Sequence, residues 1–197
     1  VLNPLLVSII FVIAVIKIFH IDYETYNSGA KYISYLLTPA TVCLAIPLYR
    51  QISVLKEHAR EVFIGILAGV LASMGSILLM SYLFGLTHEQ YVTLLPKSIT
   101  TAIGMGVSEE LGGIQTITVA VIIITGVLGN IIAEAVLKIF RIKEPVAKGL
   151  AIGTASHAIG TTKALEIGEI EGAMSSLSVA VAGLMTVISA SIFANMM

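Results

Sequence analysis

Three stretches of this chain carry no Asp, Glu, Lys or Arg: Val62–Thr87, Ile114–Ala133 and Gly172–Met197. A helix needs about 20 predominantly apolar residues to cross the hydrocarbon core of a bilayer, and each stretch is long enough. A transmembrane strand would alternate polar and apolar residues over about 10 positions, and these runs do not alternate. They predict long α-helices in lipid. Composition agrees, with 12% of residues charged against about 25% in soluble domains. The expected fold is an all-α polytopic membrane protein forming one transmembrane domain over 1–197. A formal net charge of −1 and the lack of a basic stripe exclude a nucleic-acid partner. Cys43 is the one cysteine, so no internal disulfide can form. The sequence opens on Val1 rather than Met, and a further segment is expected to precede it.

The intervening segments are shorter and more polar. Asn3–Phe19 reads as a span, and Tyr32–Tyr49 should be broken or kinked at Thr38-Pro39 and Pro47. Ala45-Ile46-Pro47, Ala102-Ile103-Gly104 and Ala158-Ile159-Gly160 recur at an offset of about 56 residues, each ahead of a charge-free run. Repeat units at about 39–85, 96–140 and 148–197 follow, each an interrupted helix and then a continuous one. The loops carrying Arg50, Lys56 and Arg60, and Lys138, Arg141, Lys143 and Lys148, are both expected on the cytoplasmic side. Lys97–Gly113 then either enters and leaves on one face or crosses together with Thr87–Pro96. Successive units would be inverted, a common transporter plan.

Polar backbone at membrane depth is tolerated only inside protein or beside a water-filled cavity, which makes two Gly/Ser/Thr-rich tracts the candidate sites. The first, Lys97–Gly113, offers Lys97, Ser98, Thr100, Thr101, Gly104, Gly112 and Gly113 to a substrate. The second, Gly149–Glu166, offers Thr154, Ser156, His157, Gly160 and Thr161. An interrupted helix exposes N–H groups at its second start, hydroxyls add neutral donors, and glycine admits a ligand close to the backbone. That chemistry suits a small carboxylate. His157 is the first candidate for carrying a coupling proton, with Glu109, Lys163 and Glu166 as further coupling or gating groups. Each has a plainer reading: Ser and Thr bond back to their own helix, His157 is a satisfied helix-packing histidine, Glu109 sits in a solvated loop, Lys163 and Glu166 form a surface pair, and Lys97 snorkels. Enzyme motifs, metal-ligand spacings and cofactor fingerprints are missing, so neither catalysis nor a cofactor is expected.

The tracts KSITTAIGMGVSEELGGI (Lys97–Ile114) and PVAKGLAIGTASHAIGTTKALEIGEIEGAMSS (Pro145–Ser176) resemble the CidB/LrgB family. That family holds the bacterial antiholin-like proteins and, as a related domain, the plastidal glycolate/glycerate translocator of plants. The resemblance implies a multi-pass protein of the bacterial inner membrane, a small CidA/LrgA-type membrane partner and a homo-oligomer such as a dimer. It also implies one of two activities. The first is transport of small monocarboxylates of the pyruvate, glycolate and glycerate class, for which His157 makes proton coupling the expected form. The alternative is an antiholin-like or holin-like role in murein hydrolase export and cell lysis. Interrupted helices with a buried His favour the first.

Overall fold

The computed structural model describes residues 4–36, 39, 43 and 45–197, which form helices, turns and bends and no strand. Two compact units divide the chain, residues 1–46 and 47–197. In the first, α1 (Pro4–Ile18) is 15 residues long. At 1.5 Å per residue that is about 22 Å, and the part of the expected span before Pro4 lies outside the described residues. His20 (φ 51) ends it in a left-handed conformation while Ile21 N–H returns to the Ile16 carbonyl at 3.0 Å. Asp22 caps α2 (Tyr23–Ser34), accepting from the Thr25 hydroxyl at 2.7 Å and the Thr25 amide at 2.8 Å. Those two bonds hold its carboxyl below the ordinary range. The expected break at Thr38-Pro39 involves Thr38, outside the described residues. Pro47 falls in the first turn of α3 (Ala45–Arg50), where a missing N–H breaks no helical bond.

The second unit continues with α4 (Ile52–Glu57), α5 (Ala59–Phe84), α6 (His88–Leu94), α7 (Thr101–Glu110), α8 (Gln115–Ile139), α9 (Pro145–Ile167) and α10 (Glu169–Ala194). The charge-free runs become α5, α8 and α10, the three helices among the described residues that are long and apolar enough to cross a membrane. Their packing reverses that of a soluble protein. Phe63 and Leu71 of α5, Ile124 and Leu128 of α8, and Leu184 and Ile188 of α10 are exposed, whereas Ser108, Thr118, Ser175 and Ser178 are fully buried. In lipid no hydrophobic force drives helices together, so small and hydroxyl residues form the contacts and large apolar ones face the tails.

The polar segments double back. Were α6 and α7 one straight helix, Thr93 and Gly113 would stand about 30 Å apart. Instead Ile114 N–H donates to the Thr93 hydroxyl at 2.8 Å, and the Thr118 hydroxyl, 2.7 Å from Ser108 Oγ, donates to the Thr93 carbonyl at 2.8 Å. The chain turns between them over residues 95–100, where Lys97 N–H bonds the Leu94 carbonyl at 3.1 Å.

In α9 the reversal falls on one residue. His157 takes φ 43, ψ −145 inside an otherwise helical segment. A Cβ on Gly160 would sit 3.4 Å from the Ile152 carbonyl oxygen, although residues eight apart in a straight helix are about 12 Å apart. Gly149 and Leu165 both lie against the start of α10, at Glu171 and Gly172. The arm before His157 therefore runs inward alongside α10, and the arm after it runs back.

These contacts sort the second unit into two ends. The ends of α5 and α10 meet the start of α6 through Tyr82 hydroxyl to the Met196 carbonyl, Tyr91 hydroxyl to the Phe193 carbonyl (2.9 Å) and His88 Nδ1 to the Met197 carbonyl oxygen (3.2 Å). At the other end, His58 and Glu61 share a pocket with Glu144 and Val146, and Arg50 shares one with Leu165 and Glu169. Arg50, Lys56, Arg60, Lys138, Arg141, Lys143 and Lys148 belong to this second end, while the first carries Glu89, Glu109 and Glu110 and no Lys or Arg.

Candidate functional site

The two turns meet at the middle of α5. Ser73 lies 14 residues from the start of α5 and 11 from its end, about 21 and 16 Å along the axis. Its hydroxyl is 2.9 Å from the Ser98 hydroxyl at the turn between α6 and α7. Lys97 Nζ donates to Ser98 Oγ at 3.0 Å and to Ser73 Oγ at 3.4 Å. From α9, Thr154 reaches the same place, and α5 admits it because a Cβ on Gly69 would lie 2.7 Å from Thr154 Oγ. Ser73, Ser98, Thr154 and Thr186 of α10 line one void with Val70, Met74, Leu95, Pro96, Ile99 and Ala182. Its volume is about 10 Å³, room for about one water molecule.

The turn at His157 is fixed from α8. His157 is 3% exposed, and its Nε2 donates to the Ile122 carbonyl at 2.9 Å. A Cβ on Gly126 would lie 2.7 Å from the imidazole Cε1, and one on Gly129 would overlap the Ser156 side chain. Only glycine lets α8 approach this closely. Breaking a helix strands carbonyls, and the surrounding hydroxyls and one amide take them. The Thr161 hydroxyl donates to the His157 carbonyl at 3.0 Å, and Asn130 Nδ2 donates to the Ile159 carbonyl at 3.1 Å and to Thr162 Oγ at 2.9 Å. Across the α9–α10 contact, Thr161 Oγ is 2.8 Å from Ser175 Oγ.

Of the residues singled out in the sequence, Ser98 and Thr154 line the void, and Lys97 bonds the Ser98 and Ser73 hydroxyls beside it. Thr100 is the N-cap residue of α7, its carbonyl accepting from Gly104 N–H at 2.8 Å, and Thr101 is the first helical residue. Gly104 packs on Ile122. Ser156, His157, Gly160 and Thr161 build the turn in α9 and its contacts with α8 and α10. Gly112 (φ 81) ends α7 in the left-handed region, and Gly113 N–H closes that cap on the Ser108 carbonyl at 2.7 Å. With the exposed Glu109 they lie toward the end free of Lys and Arg. Lys163 and Glu166 lie toward the opposite end, where Lys163 Nζ is 2.7 Å from Glu134 and 3.0 Å from Glu166. Lys148 pairs there with the largely buried Glu171 at 3.4 Å. Ser73 and Thr186 escaped the sequence reading, because each sits among several Ser and Thr inside a long apolar helix.

A helical chain with three span-length helices, apolar surfaces outward and hydroxyls and glycines inward is a membrane protein. The family model of the LrgB-like family matches residues 1–196, and the chain belongs to that family. It is 39% identical over 186 residues to the antiholin-like protein LrgB of Bacillus mycoides (strain KBAB4), covering 94% of this chain and 81% of that protein. The antiholin-like LrgB proteins of Bacillus cereus (strain B4264) and Bacillus anthracis (strain CDC 684 / NRRL 3495) match with the same identity and coverage. No solved structure matches the chain.

Proposed function

We propose that the chain is a carrier of small carboxylates, working at the void between the two turns. The observation that carries this is the meeting of two reversals at mid-helix depth on Ser73, Ser98, Thr154 and Thr186 with Lys97 beside them. Residues 88–139 and 145–194 form two units of the same plan, a doubled-back segment and then a span, entered from opposite ends. Gly104 and Gly160, matched by the repeat in the sequence, both lie in the first turn after a reversal. Inverted repeats with interrupted helices meeting near the midplane are the plan of many secondary transporters. The Lys and Arg gathered at one end orient that end to the cytoplasm, in the inner membrane of a bacterium.

Hydroxyl donors and one ammonium around a narrow void suit a carboxylate of a few heavy atoms. A void for one water cannot hold it, so the turns separate during transport, each moving as a braced unit. The names of the relatives support the second reading, an antiholin-like role in lysis, more directly than they support transport. The two differ in what passes through the purified protein alone. Saturable uptake of labelled pyruvate or glycolate into proteoliposomes, competed by other monocarboxylates, is the expected result. Release of large trapped dyes without saturable uptake would replace the carrier with a pore.

A further inference from the structure

We propose that Lys97 is the proton-coupling group of this carrier, binding one carboxylate and one proton together and giving up both before the empty site returns. This rests on the carrier reading above.

Lys97 Nζ lies beside the void with two hydroxyl partners, Ser98 at 3.0 Å and Ser73 at 3.4 Å. Those hydroxyls are neutral, and an ammonium has three N–H groups to donate. Both groups bonded to it are uncharged, Ser73 from α5 and Ser98 from its own turn, and the void those serines line is completed by the uncharged Thr154 of α9 and Thr186 of α10. The ion pairs among the described residues join Glu134, Glu166 and Glu171 to Lys138, Lys148 and Lys163, all toward the basic end. Within the second unit, His157 is the other buried side chain near the turns that can carry a proton. Its imidazole is turned to α8 and held on the Ile122 carbonyl, away from the void that Thr154 faces.

A charge at the centre of a membrane is costly unless paired. The site then has two states without net charge, a neutral amine with the void empty and an ammonium with a carboxylate bound. They interconvert by taking up one proton and one carboxylate together: the amine nitrogen gains the proton, and the ammonium pairs with the carboxylate oxygens. No other bond forms or breaks. The ammonium with an empty void is the charged state, and it is the one hindered from crossing. The result is electroneutral one-to-one symport, with Ser73 and Ser98 positioning Nζ.

The test uses proteoliposomes of the full chain in two modes, exchange between preloaded vesicles and external label, and net uptake driven by a pH gradient. Membrane potential is clamped with potassium and valinomycin. For the wild type, a gradient of about one pH unit, acid outside, should accumulate labelled monocarboxylate about tenfold, unchanged by an imposed potential. Lys97→Arg keeps the charge but cannot release its proton. It should retain exchange and lose net uptake by about tenfold or more. Lys97→Met should lose both, and His157→Gln should reach the wild-type accumulation ratio, whatever its rate. Proton-driven net uptake by Lys97→Arg at the wild-type level would overturn the proposal. So would loss of exchange together with uptake in a normally folded Lys97→Arg, which would make Lys97 a binding group only. Should that variant fail to fold, the wild type decides alone, because uptake driven by potential contradicts electroneutral coupling. If the wild type shows neither exchange nor uptake, the carrier reading itself fails.

Discussion

Replacing His157 by alanine and by glycine should give an inverted order of stability. In a helix interior, glycine is less stable than alanine by about 1 kcal/mol, so a continuous α9 would make His157→Gly the weaker variant. His157 instead holds φ 43, ψ −145, a region that costs a residue with a Cβ on the order of 1–3 kcal/mol and costs glycine almost nothing. Both substitutions remove the same imidazole and its 2.9 Å bond to the Ile122 carbonyl, so those losses cancel between them. Alanine keeps the strain and glycine sheds it, against an unfolded-state entropy term of about 0.5–1 kcal/mol for glycine. The balance makes His157→Gly more stable than His157→Ala by roughly 0.5–2 kcal/mol. Reversible unfolding of both variants in mixed detergent micelles measures the difference directly. Equal stability, or alanine ahead, would refute the turn at His157 and with it the return arm of α9.

Two further substitutions probe the contacts around that turn and one the end of α8. Gly129→Val would drive a side chain into Ser156; overpacking of this kind costs about 1–3 kcal/mol, so uptake should fall sharply and thermal unfolding should shift down. Asn130→Leu deletes the amide that holds the Ile159 carbonyl and Thr162, and at about 0.6–1.7 kcal/mol per bond in membrane helices detergent unfolding should show a loss of roughly 1–3 kcal/mol. Arg141 (φ 55) occupies a left-handed cap in which Ile142 N–H bonds the Leu137 carbonyl at 2.9 Å. Arg141→Gly should therefore raise stability by about 0.5–1 kcal/mol.

The spans were legible because charge is the strongest signal a bilayer imposes on sequence, and Val62–Thr87, Ile114–Ala133 and Gly172–Met197 fall within or closely overlap α5, α8 and α10. The two polar tracts stood out for the same reason. What they do in detail was harder to read. The reversal at His157 leaves no local mark, since neither glycine nor proline occupies it, and it is imposed by contacts with α8 and α10. Ser73 and Thr186 were hidden because a hydroxyl in an apolar helix ordinarily bonds back to its own chain, as Thr154 in fact does to the Leu150 carbonyl at 2.7 Å. Gly112, Gly113 and Glu109 shared a tract with Lys97 but are carried away from it along α7, a separation that sequence proximity conceals. The expected Lys163–Glu166 pair is present and extends to Glu134 on α8.

A carrier working between the two turns requires Ser98 and Thr154, which line one void, to part for a substrate to pass. Ser98→Cys and Thr154→Cys, introduced together in a background where the exposed Cys43 is replaced by Ser, place a removable link across the void they both line. Oxidised protein should form the intramolecular disulfide and take up no labelled monocarboxylate, and a reductant should restore the uptake of the same vesicles. Uptake at an unchanged rate with the disulfide formed, or no disulfide under oxidising conditions, would contradict a carrier working between these turns.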